Sequence, residues 1–169
     1  MANDKLGLPS KERLALIRNQ VSHLLWYGKL ETTAVRARSV RSKAEKMITL
    51  AMNSYEDTVK AVKTITDDKG VKTDREVLND GPKKLAARRA LMTFLYDLQE
   101  QKQDKESKAS FKTRTQGINH PLIEKMFNVY APKYDQRAKE LGTRGGYTRI
   151  IKLNQRRGDA AQLVKVELV

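Results

Sequence analysis

The arginines of this sequence gather in two stretches. Arg36, Arg38 and Arg41 stand close together with Lys43. Arg144, Arg149, Arg156 and Arg157 stand with Lys152 near the end of the chain. A guanidinium presents a planar fork of donors that matches two oxygens of a phosphate. Cations fixed on rigid elements can therefore grip a polyanion. Lys11, Arg13, Arg18, Arg88 and Arg89 form a second rank of candidates. Tyr147 could stack on a base or pack in a core, and packing is the more frequent fate of a lone aromatic. Arg157-Gly158-Asp159 reads as a turn with a phosphate contact, in which Asp159 bonds backbone amides or orients Arg157.

Other chemistries are poorly supplied. The chain has no cysteine and 2 histidines, which excludes disulfides and thiolate zinc sites and leaves no metal-binding cluster. Asp67-Asp68 lacks the further spaced oxygens of a calcium loop. No glycine loop with its lysine cradles a phosphate, and no nucleophile stands with a recognisable base. These patterns predict a protein without catalytic activity or cofactor. The 34 Lys plus Arg against 20 Asp plus Glu, a net charge of +14, favour RNA, DNA or an anionic membrane surface as partner. No run of about 18 apolar residues would span a bilayer, and the start, Met1 to Lys5, carries no apolar leader.

The elements that must hold these cations read as follows. A helix begins at Ser10, a candidate N-cap, and ends at Gly28, with Leu14, Ile17, Val21, Leu24 and Leu25 on one face. Leu30 to Thr33 is a short strand, and Thr33 could also cap the next helix. That helix runs to about Met52. Its stripe of Ala37, Val40, Ala44, Met47, Ile48 and Ala51 leaves cations along both flanks. Tyr55 to Val62 could be a helical turn or a strand. A hairpin of Val62–Thr66 and Val71–Val77, turning at Asp67 to Gly70, reads as an insertion over 56–82. A helix from about Pro82 carries Leu85, Leu91, Phe94, Leu95 and Leu98. Residues 99–119 read as an exposed, mobile extension. A short helix opens at Pro121 and is expected to stop at Pro132, with one more helical stretch over Lys133 to Leu141. The last strands flank Gly158-Asp159, where a tight reversal needs backbone freedom. Val164, Val166 and Leu168 share one face. On the preceding run Tyr147, Arg149, Ile151 and Leu153 share a face opposite Thr148, Ile150 and Lys152. The class is α+β, one domain over 1–169, with a small three-stranded sheet packed on helices.

Tyr147-Thr148-Arg149-Ile150-Ile151-Lys152-Leu153, Arg156-Arg157-Gly158-Asp159-Ala160-Ala161 and Val166-Glu167-Leu168 resemble the C-terminal signature of the seventeenth protein of the bacterial large ribosomal subunit. Leu16-Ile17-Arg18-Asn19, Leu30-Glu31-Thr32-Thr33, Ala37-Arg38 and Ile48-Thr49-Leu50-Ala51 resemble that family's first helices and strand. Ala87-Arg88-Arg89-Ala90, Met126-Phe127 and Ala131-Pro132-Lys133-Tyr134 match its middle helices. The resemblance implies a helix, a strand, a group of helices and two strands. It implies a structural role in the cytoplasmic ribosome, bound to large-subunit ribosomal RNA beside other large-subunit proteins, among them the thirty-second. The family's longer basic N-terminal arm is matched here only by Met1 to Leu8, so fewer arm contacts to RNA are expected. Three other classes each require a feature of their own. A DNA-binding regulator would need a recognition helix, a binder of acidic proteins a nuclease-resistant complex, and a nucleic-acid enzyme a metal-binding carboxylate cluster.

Overall fold

The structure is a computed structural model and describes residues 5–66 and 72–169. The expected turn at Asp67 to Gly70 lies outside the described residues. The elements in order are α1 (Ser10–Tyr27), β1 (Lys29–Thr33), α2 (Ala34–Met52), β2 (Thr58–Thr66), β3 (Lys72–Asp80), α3 (Pro82–Phe94), α4 (Lys108–Thr115), α5 (Pro121–Lys125), a π-helical turn (Met126–Tyr130), α6 (Ala131–Leu141), β4 (Thr148–Gln155) and β5 (Gln162–Leu168). The fold is α+β, with a three-stranded and a two-stranded antiparallel sheet.

Helix α2 is the centre of the core. Ala37, Val40, Ala44, Ile48 and Ala51 are completely buried. Complete burial of Val40 and of Ile48 contributes roughly 1.5–3 kcal/mol each. Their small and branched side chains let α1, α3, α6 and the sheet all pack on one helix. The sheet order is β1-β5-β4, so the last strand is the central one. Thr32 pairs with Val164, and Val164 with Lys152, which sets the register across all three strands. Val164 and Val166 face the helices and are buried. The partners of β5 put Thr148 and Ile150 on that same inner face, and Arg149 and Ile151 on the outer one. The alternation falls as the sequence pattern divides it from Thr148 to Lys152, but not at Tyr147, which precedes β4 and is buried against Tyr134 instead of sharing the exposed face of Arg149.

Several boundaries differ from expectation. The N-cap of α1 is Pro9, and Ser10 is already helical; its hydroxyl meets Arg13 instead of a backbone amide. Leu14, at the start of the α1 stripe, is 48% exposed because nothing of the core reaches that end. Gly28 stops α1 as expected, at φ 77°, and its amide bonds the carbonyl of Leu24. Pro132 does not end a helix. The backbone stays helical from Pro121 to Leu141, and the π turn before Pro132 shifts the bonding by one residue, Ala131 N–H donating to Met126 O. In that wider ladder a residue without an N–H sits in the first turn of α6, where proline is tolerated. At the terminal hairpin, Ala160 takes the left-handed conformation, at φ 52°, and Gly158 does not.

The ribbon β2–β3 is longer than its sequence signal. Its strands pair from Thr58↔Asp80 to Thr66↔Lys72. It is pinned at its base. Asp57 O accepts from Gly81 N–H, and the Asp57 carboxylate accepts from the amides of Lys83 (2.8 Å) and Lys84 (3.3 Å). Asp57 thus caps α3 from outside the helix, where the Gly81 N-cap has no side chain to do so. Residues 99–119 bury little and carry α4, capped by Ser107 Oγ accepting from Ser110 N–H at 3.0 Å. Arg114 folds this stretch on itself through Glu100 and Glu106.

Candidate nucleic-acid interface

With one side of α2 consumed by the core, its charged residues are forced to the flanks. Arg38, Arg41 and Lys46 are exposed, and Arg36 and Lys43 half-buried. The one acid on α2 is Glu45. Its carboxylate accepts from Arg41 Nε (3.2 Å) and from the Thr148 hydroxyl (2.7 Å), which locks α2 to β4. Arg36, Arg38, Lys43 and Lys46 have no ion-pair partner among the described residues. Between α2 and β4 runs an open groove. Arg38, Arg41, Lys46 and Thr49 form one wall, Gly145 and Ile150 the other. This is a row of cations on a helix that cannot rotate or withdraw.

The remaining candidates divide into free and occupied groups. Lys11, Arg89, Lys152 and Arg157 are exposed and without an ion-pair partner among the described residues. Lys152 lies on the sheet's inner side but outside the helical cover. Arg13 is half-buried beside Ser10. Arg149, exposed on the sheet's outer face, stands opposite Glu167 in register. Glu167 also pairs with Lys165 at 2.5 Å, and the Lys165 contact is the main reason the Glu167 carboxyl is held below its usual range. The outer face is therefore nearly charge-balanced and a weaker anion surface than α2. Arg144 is 69% exposed and loosely tethered to Asn53 (3.4 Å) and Asp135 (3.9 Å).

Other candidates are committed inside the fold. Arg18 donates from Nε to Phe94 O (2.7 Å) and from Nη2 to Thr93 O (2.6 Å), closing the C-terminal end of α3. Its guanidinium lies 5.1 Å from the Tyr96 ring centre. Arg88 bridges Asp80 and Glu124, each at 2.5 Å, above the Phe127 ring. Burial would raise the Asp80 pKa, but Arg88 and Lys84 outweigh it and hold the carboxyl low. Tyr147 is 3% exposed and packs on Tyr134, with ring centres 4.9 Å apart, so no base can reach its face. In the terminal turn Asp159 takes Arg156, not Arg157, at 2.8 and 2.5 Å, and accepts from Ala161 N–H. Arg156 is the main cause that lowers the Asp159 pKa to about 2. Lys46 is a free α2 cation that the sequence ranking left out, although its spacing from Ser42 and Arg38 already put it on that flank.

Among the described residues no group of acidic or histidine side chains could hold a metal, and no helix is long and apolar enough to cross a membrane.

The comparisons agree with one another. A family model described as ribosomal protein L17 matches residues 16–169. A large ribosomal subunit protein bL17 of Lachnospira eligens is 38% identical, covering 98% of this chain and 97% of that protein. The bL17 of Thermoanaerobacter sp. strain X514 is 35% identical over all of both chains. That of Clostridium beijerinckii is 36% identical, covering 98% of this chain and 96% of the relative. With the helix–strand–helices–hairpin order set out above, the chain belongs to the ribosomal protein L17 family.

Proposed function

We propose that this protein is a structural, non-catalytic constituent of the bacterial large ribosomal subunit, held in the cytoplasmic ribosome by large-subunit ribosomal RNA. The observation that carries this reading is the set of cations along both flanks of α2, four of them (Arg36, Arg38, Lys43 and Lys46) without an ion-pair partner among the described residues, on a helix whose core side is fully buried. A-form RNA hides its major-groove edges and is met through shape, phosphates and 2′-hydroxyls. A rigid cationic shelf suits that target better than a base-reading helix. Arg38, Arg41 and Lys46 form the shelf, with Arg36 and Lys43 along the other flank of α2. Lys152 and Arg157 extend it along the hairpin, with Arg144, Arg149, Lys11 and Arg89 at its margins. The stretches over 56–82 and 99–119 are insertions relative to shorter members of the family. Neighbouring large-subunit proteins, the thirty-second among them, would meet the remaining surface.

The test is sedimentation. A tagged chain expressed in a bacterial relative is followed through a gradient that separates native subunits. It should travel with the large subunit and leave it on RNase treatment. Sedimentation as free protein, or with the small subunit, would overturn the reading.

A further inference from the structure

The first half of α1 and the first half of α2 leave a cleft between them of about 280 Å³. Ordinary small-molecule sites take about 300–1,000 Å³, so this one is sized for a fragment. Its charged wall is Arg13 from α1 and Lys43 from α2. Both are half-buried, and neither has an ion-pair partner among the described residues. No carboxylate lines the cleft, and its floor is Leu14 and Ile17.

The hydroxyls supply the second observation. Elsewhere in the helices, Ser22, Thr49 and Thr93 turn back and donate to the carbonyl one turn earlier, at 2.8–2.9 Å. That is the resting place of a helical hydroxyl with nothing else to bond. Ser39 and Ser42 line the cleft and make no such bond. Two hydroxyls without a hydrogen bond in the fold, a guanidinium and an ammonium line a space without an acid. That donor set fits a tetrahedral oxyanion. The apolar floor beside it fits the face of a sugar.

We infer that the α1–α2 cleft seats one phosphate–ribose unit of the RNA backbone, with Arg13, Lys43, Ser39 and Ser42 on the phosphate and Leu14 and Ile17 under the ribose. This rests on the ribosomal RNA reading above and gives it a defined contact. The cleft adjoins the groove of Arg38, Arg41 and Lys46, Ser42 lining both, so a strand seated here would pass over the exposed face of the helix.

The test is equilibrium binding of the full chain to large-subunit ribosomal RNA across a potassium chloride titration. The variant S39A/S42A removes only hydroxyls, and alanine favours the helix. It should bind about tenfold more weakly, the loss of a hydrogen bond or two to a charged group, with an unchanged salt slope. The variant R13Q/K43Q should lower the slope by about 0.7–0.9, the amount for one phosphate; twice that drop means two phosphates and overturns the shared seat. If S39A/S42A binds like the parent while R36Q/R38Q is weakened, the cleft is empty of RNA and the wider reading stands. If no variant weakens binding and affinity ignores salt, both fall. An arm with inorganic phosphate alone, read by the amide resonances of Ser39 and Ser42, separates sources. Shifts with phosphate, together with parental RNA affinity in S39A/S42A, would make the cleft a free-ion site and overturn the inference.

Discussion

Arg18 gives the sharpest contrast between two roles for one cation. Replacing it with methionine keeps the stem and removes the guanidinium. The structure assigns that guanidinium to the last carbonyls of α3, through two bonds of 2.6–2.7 Å. Charged hydrogen bonds are worth about 1.5–3 kcal/mol. A cation at a helix C-terminus adds about 0.3–1 kcal/mol, and the aromatic contact with Tyr96 about 0.5–1 kcal/mol. These overlap and do not add, because the same geometry serves all three; a total near 2–3 kcal/mol is expected. With a urea m-value of about 2–3 kcal/mol/M, the midpoint should fall by about 1 M. The assay is urea unfolding of R18M followed by fluorescence of Trp26, together with RNA binding at a urea-free, low temperature. Binding and its salt slope should stay at the parental values. A midpoint that does not move, with a slope reduced by about 0.7–0.9, would refute the assignment and return Arg18 to the RNA surface.

Three further outcomes follow from the geometry. The Asp159 carboxyl, held near 2 by Arg156, has a folded value below its ordinary one. Its contribution to stability is therefore complete above about pH 4 and lost as pH falls through the folded value; a carboxyl NMR titration should show the low midpoint in the parent and an ordinary one in R156Q. Gly81→Ala places a Cβ on the Asp57 carboxylate and should displace the cap of α3, costing about 0.5–2 kcal/mol in thermal unfolding with RNA affinity unchanged in the folded protein. Tyr147→Phe should unfold and bind RNA like the parent, whereas Tyr147→Ala should lose about 3–5 kcal/mol in the same denaturation assay; weakened RNA binding by the phenylalanine variant would contradict a purely internal ring.

The legible part of this fold is what local pattern determines. The α2 stripe, the Gly28 stop and the inner valines of β5 depend only on spacing and on a residue's own backbone preference. The misread parts depend on neighbours. Pro132 reads locally as a helix break, and only the π turn ahead of it, a matter of packing around Met126 and Tyr130, keeps the ladder running. The cap of α3 comes from Asp57, across the whole ribbon. Charge was the hardest property to read. Arg18, Arg36 and Arg88 look alike in sequence, but the partners of Arg18 lie 75–76 residues away and one partner of Arg88 lies 36 away. Which arginines remain free is a tertiary fact. Ser39 and Ser42 carried no signal at all until their missing back-bonds could be compared with those of Ser22 and Thr49.

The central place of β5 has a consequence for folding. β5 lies between β1 and β4, and Leu168 N–H closes onto Gly28 O at 2.9 Å, joining distant parts of the sequence. A chain without β5 would hold β1 and β4 with no strand between them. Their backbone groups would stay in water, and the inner edge of α2 would stay bare where Val164 and Val166 belong. The strand that completes the sheet is thus also the one that covers the sheet side of α2, so the seating of the cationic helix and the closure of the sheet depend on the same seven residues.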